Sequence, residues 1–219
     1  MASPAFTLRL SEDRCAAAAA LRLAAAPRVL FAVEGAVTIA AGIDRALGAD
    51  TAWHGASPCV VTAGAAGGRL LRYELLRDLA EPAAAPGVTS RQLLAHVVDL
   101  DPRRGYLMRC DRVDFDPGGE ALPHRHRGGG IRWLLAGELE VRVGKATARL
   151  MRPGDAWFES GREPVHAIAS KTAPTSFIRV AILPREIRGQ SSIVYVDPAH
   201  AAVKPRRYRV YVDEPVDLA

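Results

Sequence analysis

Three histidines of this chain are suited by type and spacing to bind a metal ion. His124 and His126 are separated by one residue, and on a β-strand that spacing places both side chains on the same face. His166 follows at the end of a second predicted hairpin. Because neutral imidazoles bind transition metals, we predict that His124, His126 and His166 form one facial set of metal ligands.

The sequence around the paired histidines resembles the first signature of the cupin superfamily. In that signature a glycine is followed by five residues, His-x-His, three or four residues, a glutamate, six residues and a second glycine. Here Gly118 takes the first position, His124 and His126 form the His-x-His pair, and Gly137 takes the last position. Gly130 stands where the family has its glutamate ligand.

A looser match to the second cupin signature covers residues 153–161 and ends at His166. The loop before this histidine is longer than in the family, and Ser170 replaces the family's asparagine. The resemblance implies a jelly-roll β-barrel that binds a divalent transition metal (Fe, Mn, Ni, Cu or Zn). Positions on that metal would stay open for substrate or water.

The resemblance leaves two classes of function open. The first is a metal-dependent dioxygenase acting on a small organic molecule, since some cupins with iron bound only by histidines are oxygenases. Isomerase and lyase chemistry rank behind it, and a three-histidine zinc site with bound water is also compatible. The second class is a non-catalytic module that binds or senses a small ligand. The absence of a side chain at Gly130 favours this second class, and it would also enlarge the pocket beside an ion.

Arg132 is the candidate catalytic residue. Alternation along the strand places it on the same side as the paired histidines. A buried guanidinium requires an anion, so Arg132 either receives a substrate carboxylate or pairs with Glu120 or Glu159. A solvated position at the barrel rim is the alternative. The glycines at 128–130 lack the helix and lysine of a phosphate-binding loop, and they indicate a flexible mouth of the barrel.

The rest of the chain consists mainly of short extended segments separated by turn residues, which is typical of a β-sandwich or β-barrel. The pattern occurs twice: residues 33–39 align with 135–141, and residues 70–75 align with 177–182. We interpret this as an internal duplication. It predicts an all-β fold made of two cupin-type jelly-roll β-barrels, called a bicupin.

The duplication divides the chain into three segments. These are a degenerate N-terminal cupin barrel at 1–84, a linker segment at 85–106, and a C-terminal metal-binding barrel with C-terminal strands at 107–219. The N-terminal copy has Arg22 and Ala24 where the second copy has its paired histidines, so we predict a structural role for it. Within the linker, residues 89–98 form either a short capped helix or a strand.

Composition limits the partners. The chain has 219 residues, of which 49% are hydrophobic and 24% are charged. This is enough for one large or two small packed cores. The net charge is +5, but the arginines are scattered, so we predict no nucleic-acid partner. We predict no membrane partner, because no apolar segment reaches membrane-spanning length.

Cysteine content and the resemblance to cupins bear on location and assembly. The three cysteines have no paired spacing, which indicates a reducing compartment, and the first residues lack the order of a signal peptide. We therefore predict a cytoplasmic protein whose partner is a small-molecule ligand or substrate. The resemblance implies a homodimer, since cupins often pair edge strands across a two-fold axis.

Overall fold

The computed structural model describes residues 6–78, 81–203 and 206–218 and is built almost entirely from β-strands. It divides into two compact units, one spanning Met1–Arg103 with Asp217–Ala219 and the other Arg104–Val216. The prediction of an all-β fold is confirmed. Within the described ranges, no helix has the length and apolar character needed to cross a membrane.

The first unit is built on one antiparallel sheet. The strands that the structure describes there are β1 (Phe6–Cys15), β2 (Ala20–Leu23), β3 (Arg28–Ala41), β4 (Ile43–Gly48), β5 (Thr51–Gly55), β6 (Cys59–Leu76) and β7 (Val88–Val98). The sheet runs in the order β4-β3-β6-β1-β7, with β2 paired to β6 and β5 paired to β3. Aliphatic side chains such as Leu21, Leu30, Ile39 and Val61 form its buried core.

Strand β7 lies within the segment 85–106 that was predicted as a linker. It pairs with β1 over its full length, from Phe6 opposite Val98 to Cys15 opposite Val88. The strand alternative for residues 89–98 is therefore confirmed, and the helix alternative is wrong. The local capping signal is weak, and the free edge of β1 offers backbone partners along its whole length, so tertiary pairing overrides propensity.

The second unit contains two five-stranded antiparallel sheets. Its strands are β8 (Tyr106–Phe115), β9 (Glu120–His126), β10 (Gly130–Ala136), β11 (Leu139–Val143), β12 (Arg149–Met151), β13 (Ala156–Glu159), β14 (Val165–Ala169), β15 (Thr175–Pro184), β16 (Ile193–Tyr195) and β17 (Arg206–Val216). One sheet has the order β13-β10-β15-β8-β17 and the other has the order β12-β11-β14-β9-β16. Short 3-10 helices occur at Arg185–Ile187 and Pro198–Ala202.

The two sheets of the second unit share one apolar core. Phe115, Leu134 and Trp157 come from the first sheet, and Val141 and Val165 come from the second. Two antiparallel sheets packed face to face in this way form a jelly roll. Because successive side chains on a strand point to opposite faces, this core decides which residues of each strand can reach the interior.

The two units repeat the same strand pairing. The pairs β1–β6, β3–β5 and β1–β7 of the first unit correspond to β8–β15, β10–β13 and β8–β17 of the second. By register, Leu30 takes the position of Arg132, and Val88 takes the position of Arg206. Leu30 and Val88 pack in the apolar core of the first unit. The second unit therefore has arginines where the first has aliphatic side chains.

Candidate functional site

Strand β9 directs His124 and His126 into the interior of the second unit. Both are buried, with 5% and 9% of their surface exposed, whereas Arg125 between them faces solvent. Their ring centroids lie 4.9 Å apart in an edge-on arrangement. The structure thus brings together the two histidines whose i, i+2 spacing predicted a shared face.

His166 lies on the outer side of its strand. Its neighbours Val165, Ala167 and Ala169 belong to the core, so His166 points the other way. Its Nε2 lies 2.5 Å from Oε1 of the partly exposed Glu120. The structure therefore does not bring His166 together with His124 and His126. The loop before it is longer than in the family, and a shift of one residue along a strand moves a side chain to the opposite face.

Gly130 does not open space beside the histidines. A Cβ atom at this position would lie 2.5 Å from the carbonyl oxygen of Val180 and 2.8 Å from the Cβ of Ala181, both on β15. A Cβ on Gly128 would meet the carbonyl oxygen of Ile182. These glycines allow a close approach to β15, so the predictions of an enlarged pocket and a flexible mouth are wrong.

Arg132 and Glu159 form an ion pair inside the barrel. Arg132 Nη2 lies 2.7 Å from Glu159 Oε2, and the two residues are 1% and 5% exposed. Trp157 Nε1 donates a hydrogen bond of 2.8 Å to the other carboxylate oxygen. Of the alternatives left open for Arg132, the pairing with Glu159 is the one found.

The ion pair fixes the protonation of both partners. Burial acts to raise the pKa of Glu159, but the Arg132 charge and the hydrogen bonds from His126 and Trp157 hold it well below its usual range. Burial lowers the pKa of Arg132 to about 10, against the opposing effect of Glu159. At neutral pH the carboxylate is therefore ionised and the guanidinium is charged.

Both ring nitrogens of His126 face polar groups of the protein. Nε2 lies 3.4 Å from Glu159 Oε2. Nδ1 lies 3.4 Å from Ser192 Oγ and 3.4 Å from Arg179 Nη1. A metal ion at Nε2 would have to displace the proton that faces the carboxylate.

His124 has one nitrogen free. Its Nδ1 lies 2.7 Å from the carbonyl oxygen of Leu122; a carbonyl only accepts, so Nδ1 carries the proton and Nε2 keeps its lone pair. In the described part of the chain, no three His, Cys, Asp or Glu side chains converge on a point that could hold a metal ion. The residues present do not fit the divalent metal site that was predicted.

Arg206 enters the same interior from β17. The residue is 9% exposed, and its Nε donates to the hydroxyl of Tyr208. Among the described residues, neither Nη1 nor Nη2 has a hydrogen-bond partner. A buried guanidinium without an anion is costly, so this arrangement points to an anion that the protein receives from outside.

The enclosed space between these side chains is small. Its volume is about 20 Å³, which is room for about one water molecule. The polar residues that line it are His124, His126, Arg132, Glu159, Arg179, Arg206 and Tyr208, and apolar core residues complete the wall. Arg179 is neutralised by Asp111, which accepts from Nε at 3.0 Å. With neutral imidazoles, the charge left uncompensated among the described residues that line this inner cavity is that of Arg206.

We expect both buried imidazoles to stay neutral well below pH 6. Burial lowers the pKa of His124 to about 4 and that of His126 to about 3. Because the unfolded chain titrates near 6.5, it binds more protons than the folded chain between about pH 6.5 and pH 3. The stability of the second unit is therefore complete above pH 6.5 and falls as the pH is lowered towards 3.

An NMR titration of the imidazole resonances checks this expectation. His124→Gln should remove one of the two resonances that stay neutral at pH 5, and with it part of the acid sensitivity of unfolding. Protonation of both rings above pH 6 would contradict the burial that the structure shows.

Arg206, Tyr208 and Arg179 were not identified from the sequence as site residues, and Glu159 was named only as one possible partner of Arg132. A signal for Arg206 was present. Residues 208–212 alternate as a strand, and extending that strand by two residues places Arg206 on the same face as Tyr208. The missing counter-ion of Arg206 leaves no trace in the sequence.

Comparisons with known proteins agree with the fold. Residues 111–181 match the Cupin domain family model. The putative germin-like protein subfamily 1 member 2 of Arabidopsis thaliana is 35% identical over 101 residues, which cover 40% of this chain and 44% of that protein. The match therefore spans less than half the length of this curated relative.

Solved structures resemble nearly the whole chain. A deletion mutant of Bacillus subtilis oxalate decarboxylase has a TM-score of 0.65 at 11% identity, covering 93% of this chain and 78% of its own. The formate complex of Lactobacillus farciminis oxalate decarboxylase has a TM-score of 0.66 at 12% identity, with 93% and 87% coverage. AerE from Microcystis aeruginosa has a TM-score of 0.60 at 13% identity, with 84% and 90% coverage.

At these identities the structural matches establish the fold alone. They confirm the predicted fold class of cupin-type jelly-roll barrels, and the family model locates the domain that carries the histidines. The match to the Cupin domain family model is limited to residues 111–181, the stretch that carries the three histidines.

Proposed function

We propose that the C-terminal barrel binds a small organic anion, a carboxylate, and that Arg206 supplies the charge that holds it. The observation that carries this proposal is the guanidinium of Arg206, buried and without a partner at Nη1 and Nη2 among the described residues. Planar guanidinium groups bind carboxylates through two parallel hydrogen bonds. The two free nitrogens of Arg206 match that geometry.

The charges of the neighbouring side chains favour an anionic ligand over a cationic one. Arg132 and Arg179 already have carboxylate partners, so a second anion meets no unpaired negative charge in the cavity. His124 Nε2 offers a lone pair that accepts a hydrogen bond from a hydroxyl or a protonated acid. We assign Arg132, predicted to be catalytic, the role of holding Glu159 in place.

The names of the similar structures are in keeping with carboxylate chemistry. Two of them are oxalate decarboxylases, and one of these was solved with formate. The dioxygenase predicted from the resemblance to cupins requires a metal that the described donors do not fit, so the ligand-binding alternative is favoured. We further propose that the N-terminal unit is a degenerate structural copy. The homodimer and the cytoplasmic location remain predictions.

Binding of formate, acetate and oxalate to the purified full-length protein tests the proposal. We expect calorimetric titration to show binding to the native chain, and Arg206→Met to weaken it about 10- to 100-fold, since a hydrogen bond to a charged group contributes about 1.5–3 kcal/mol. Without anion, Arg206→Met should be at least as stable as the native chain, because it removes an unpaired buried charge.

Two variants serve as controls. Arg207→Met makes the same change of charge one residue later, on an exposed side chain paired with Asp116 at 3.2 Å. His166→Ala removes the outward-facing histidine. Both should bind the anions as the native chain does, and a metal chelator should leave the affinities unchanged. Equal binding by Arg206→Met and the native chain would refute the proposal.

A further inference from the structure

A second cavity lies beside the inner one within the same unit. Its volume is about 350 Å³, within the range of roughly 300–1,000 Å³ that is typical of small-molecule sites. Residues 189–193 line it, and strand β17 contributes Tyr208, Val210 and Asp213. This outer cavity is far larger than the inner one, which holds about one water molecule.

The two cavities share a boundary. Arg179 and Tyr208 line both of them. The guanidinium carbon of Arg179 lies 5.9 Å from the centre of the Tyr208 ring, and that of Arg206 lies 5.7 Å from it. Ser192 lines the outer cavity and approaches His126, which lines the inner one, to 3.4 Å. A rotation of the Tyr208 side chain, which is 43% exposed, would join the two spaces.

The charges of the outer cavity are balanced. Arg109 pairs with Asp213 at 2.8 Å and donates to two backbone carbonyls, and Arg179 pairs with Asp111. The remaining wall includes the apolar side chains of Ile193 and Val210. A charge-balanced, partly apolar cavity suits the uncharged part of a ligand, whereas the inner cavity suits its charged end.

We propose that the two cavities are the two ends of one binding site, and that its ligand is a monocarboxylate with an uncharged aliphatic or aromatic tail. With the Tyr208 side chain rotated so that the two spaces join, the carboxylate meets Arg206 at the inner end, and the tail lies in the outer cavity. This inference rests on the proposed function, because it places the carboxylate at Arg206. In this arrangement Tyr208 and Val210 contact the tail and determine which carboxylates bind most tightly.

A series of straight-chain carboxylates tests the inference by calorimetric titration of the full-length protein. We expect hexanoate to bind at least 10-fold more tightly than formate. Val210→Asp should reduce the ratio of hexanoate to formate affinity at least 10-fold, because a charge enters the path of the tail. Tyr208→Ala should raise the affinity for bulkier tails such as phenylacetate, because it removes the ring at the boundary.

The matched control is Val97→Asp. Val97 is 60% exposed on β7 and Val210 is 56% exposed on β17, and the two strands take equivalent places in their units. Val97→Asp should leave the ratio of hexanoate to formate affinity unchanged.

Equal affinities for formate and hexanoate, both dependent on Arg206, would overturn this inference and leave the proposed function standing. Hexanoate binding that survives Arg206→Met would overturn the two-ended site, and binding of no carboxylate at all would overturn both.

Discussion

Replacement of Glu159 by glutamine is expected to destabilise the second unit by about 3–5 kcal/mol, the range measured when one partner of a buried ion pair is removed. Glutamine has nearly the same shape, so the packing against Trp157 persists. What is lost is the negative charge that Arg132 Nη2 meets at 2.7 Å. The guanidinium then remains buried without an anion.

Urea unfolding followed by the fluorescence of Trp133 and Trp157, which are both in the second unit, measures this loss. Glu138→Gln is the matched control, because Glu138 pairs with Arg152 at 3.4 Å while both side chains are half-exposed or more. That change should cost no more than about 1 kcal/mol.

A double variant separates charge from packing. Replacing Arg132 with methionine and Glu159 with leucine should recover most of the lost stability, because apolar side chains of similar volume can replace a buried pair. A free energy of unfolding for Glu159→Gln within about 1 kcal/mol of the native value would show that the pair is solvated and the cavity is wetter than the structure indicates.

Restoring the family's glutamate by Gly130→Glu is expected to destabilise the second unit by about 3 kcal/mol or more, since overpacked cores commonly lose 1–3 kcal/mol for smaller insertions. A Cβ atom there lies 2.5 Å from the carbonyl oxygen of Val180. This oxygen belongs to the backbone of a paired strand, which has little freedom to move. We therefore expect no metal site to result.

Unfolding measurements and elemental analysis after incubation with Mn²⁺ test this prediction together. Gly48→Glu provides the control, because nothing lies within 4 Å of a Cβ built on Gly48 at the exposed strand β4. Its effect should stay within about 0.5 kcal/mol. A stable Gly130→Glu protein that retains one Mn²⁺ per chain would show that β10 and β15 can separate.

The contrast between the two units concerns two equivalent positions, which carry arginines in the second unit and aliphatic side chains in the first. The first unit fills the positions of Arg132 and Arg206 with Leu30 and Val88, and these simply extend its apolar core. Burying two arginines instead costs desolvation, and among the described residues a carboxylate partner, Glu159, is found for Arg132 but not for Arg206. Side chains that lower stability in this way are commonly retained for function.

The local sequence was enough to predict the β-strands and one part of the candidate functional site. Short extended segments separated by turn residues predicted an all-β fold. The spacing of His124 and His126 determined that they share a face, because the period of two is a property of any strand. The same argument placed Arg132 on the side of the paired histidines, and it left a substrate carboxylate, Glu120, Glu159 and a solvated rim position open.

The other features of the candidate site depended on tertiary structure. The face on which His166 lies follows from the length of the preceding loop and the pairing of β14, and a shift of one residue reverses it. The need for glycine at position 130 comes from the backbone of β15, far along the chain. Arg206 reaches the cavity only because β17 pairs with β8. That its Nη atoms lack a partner among the described residues is a property of the folded interior, where the side chains that line the cavity come from eight different strands.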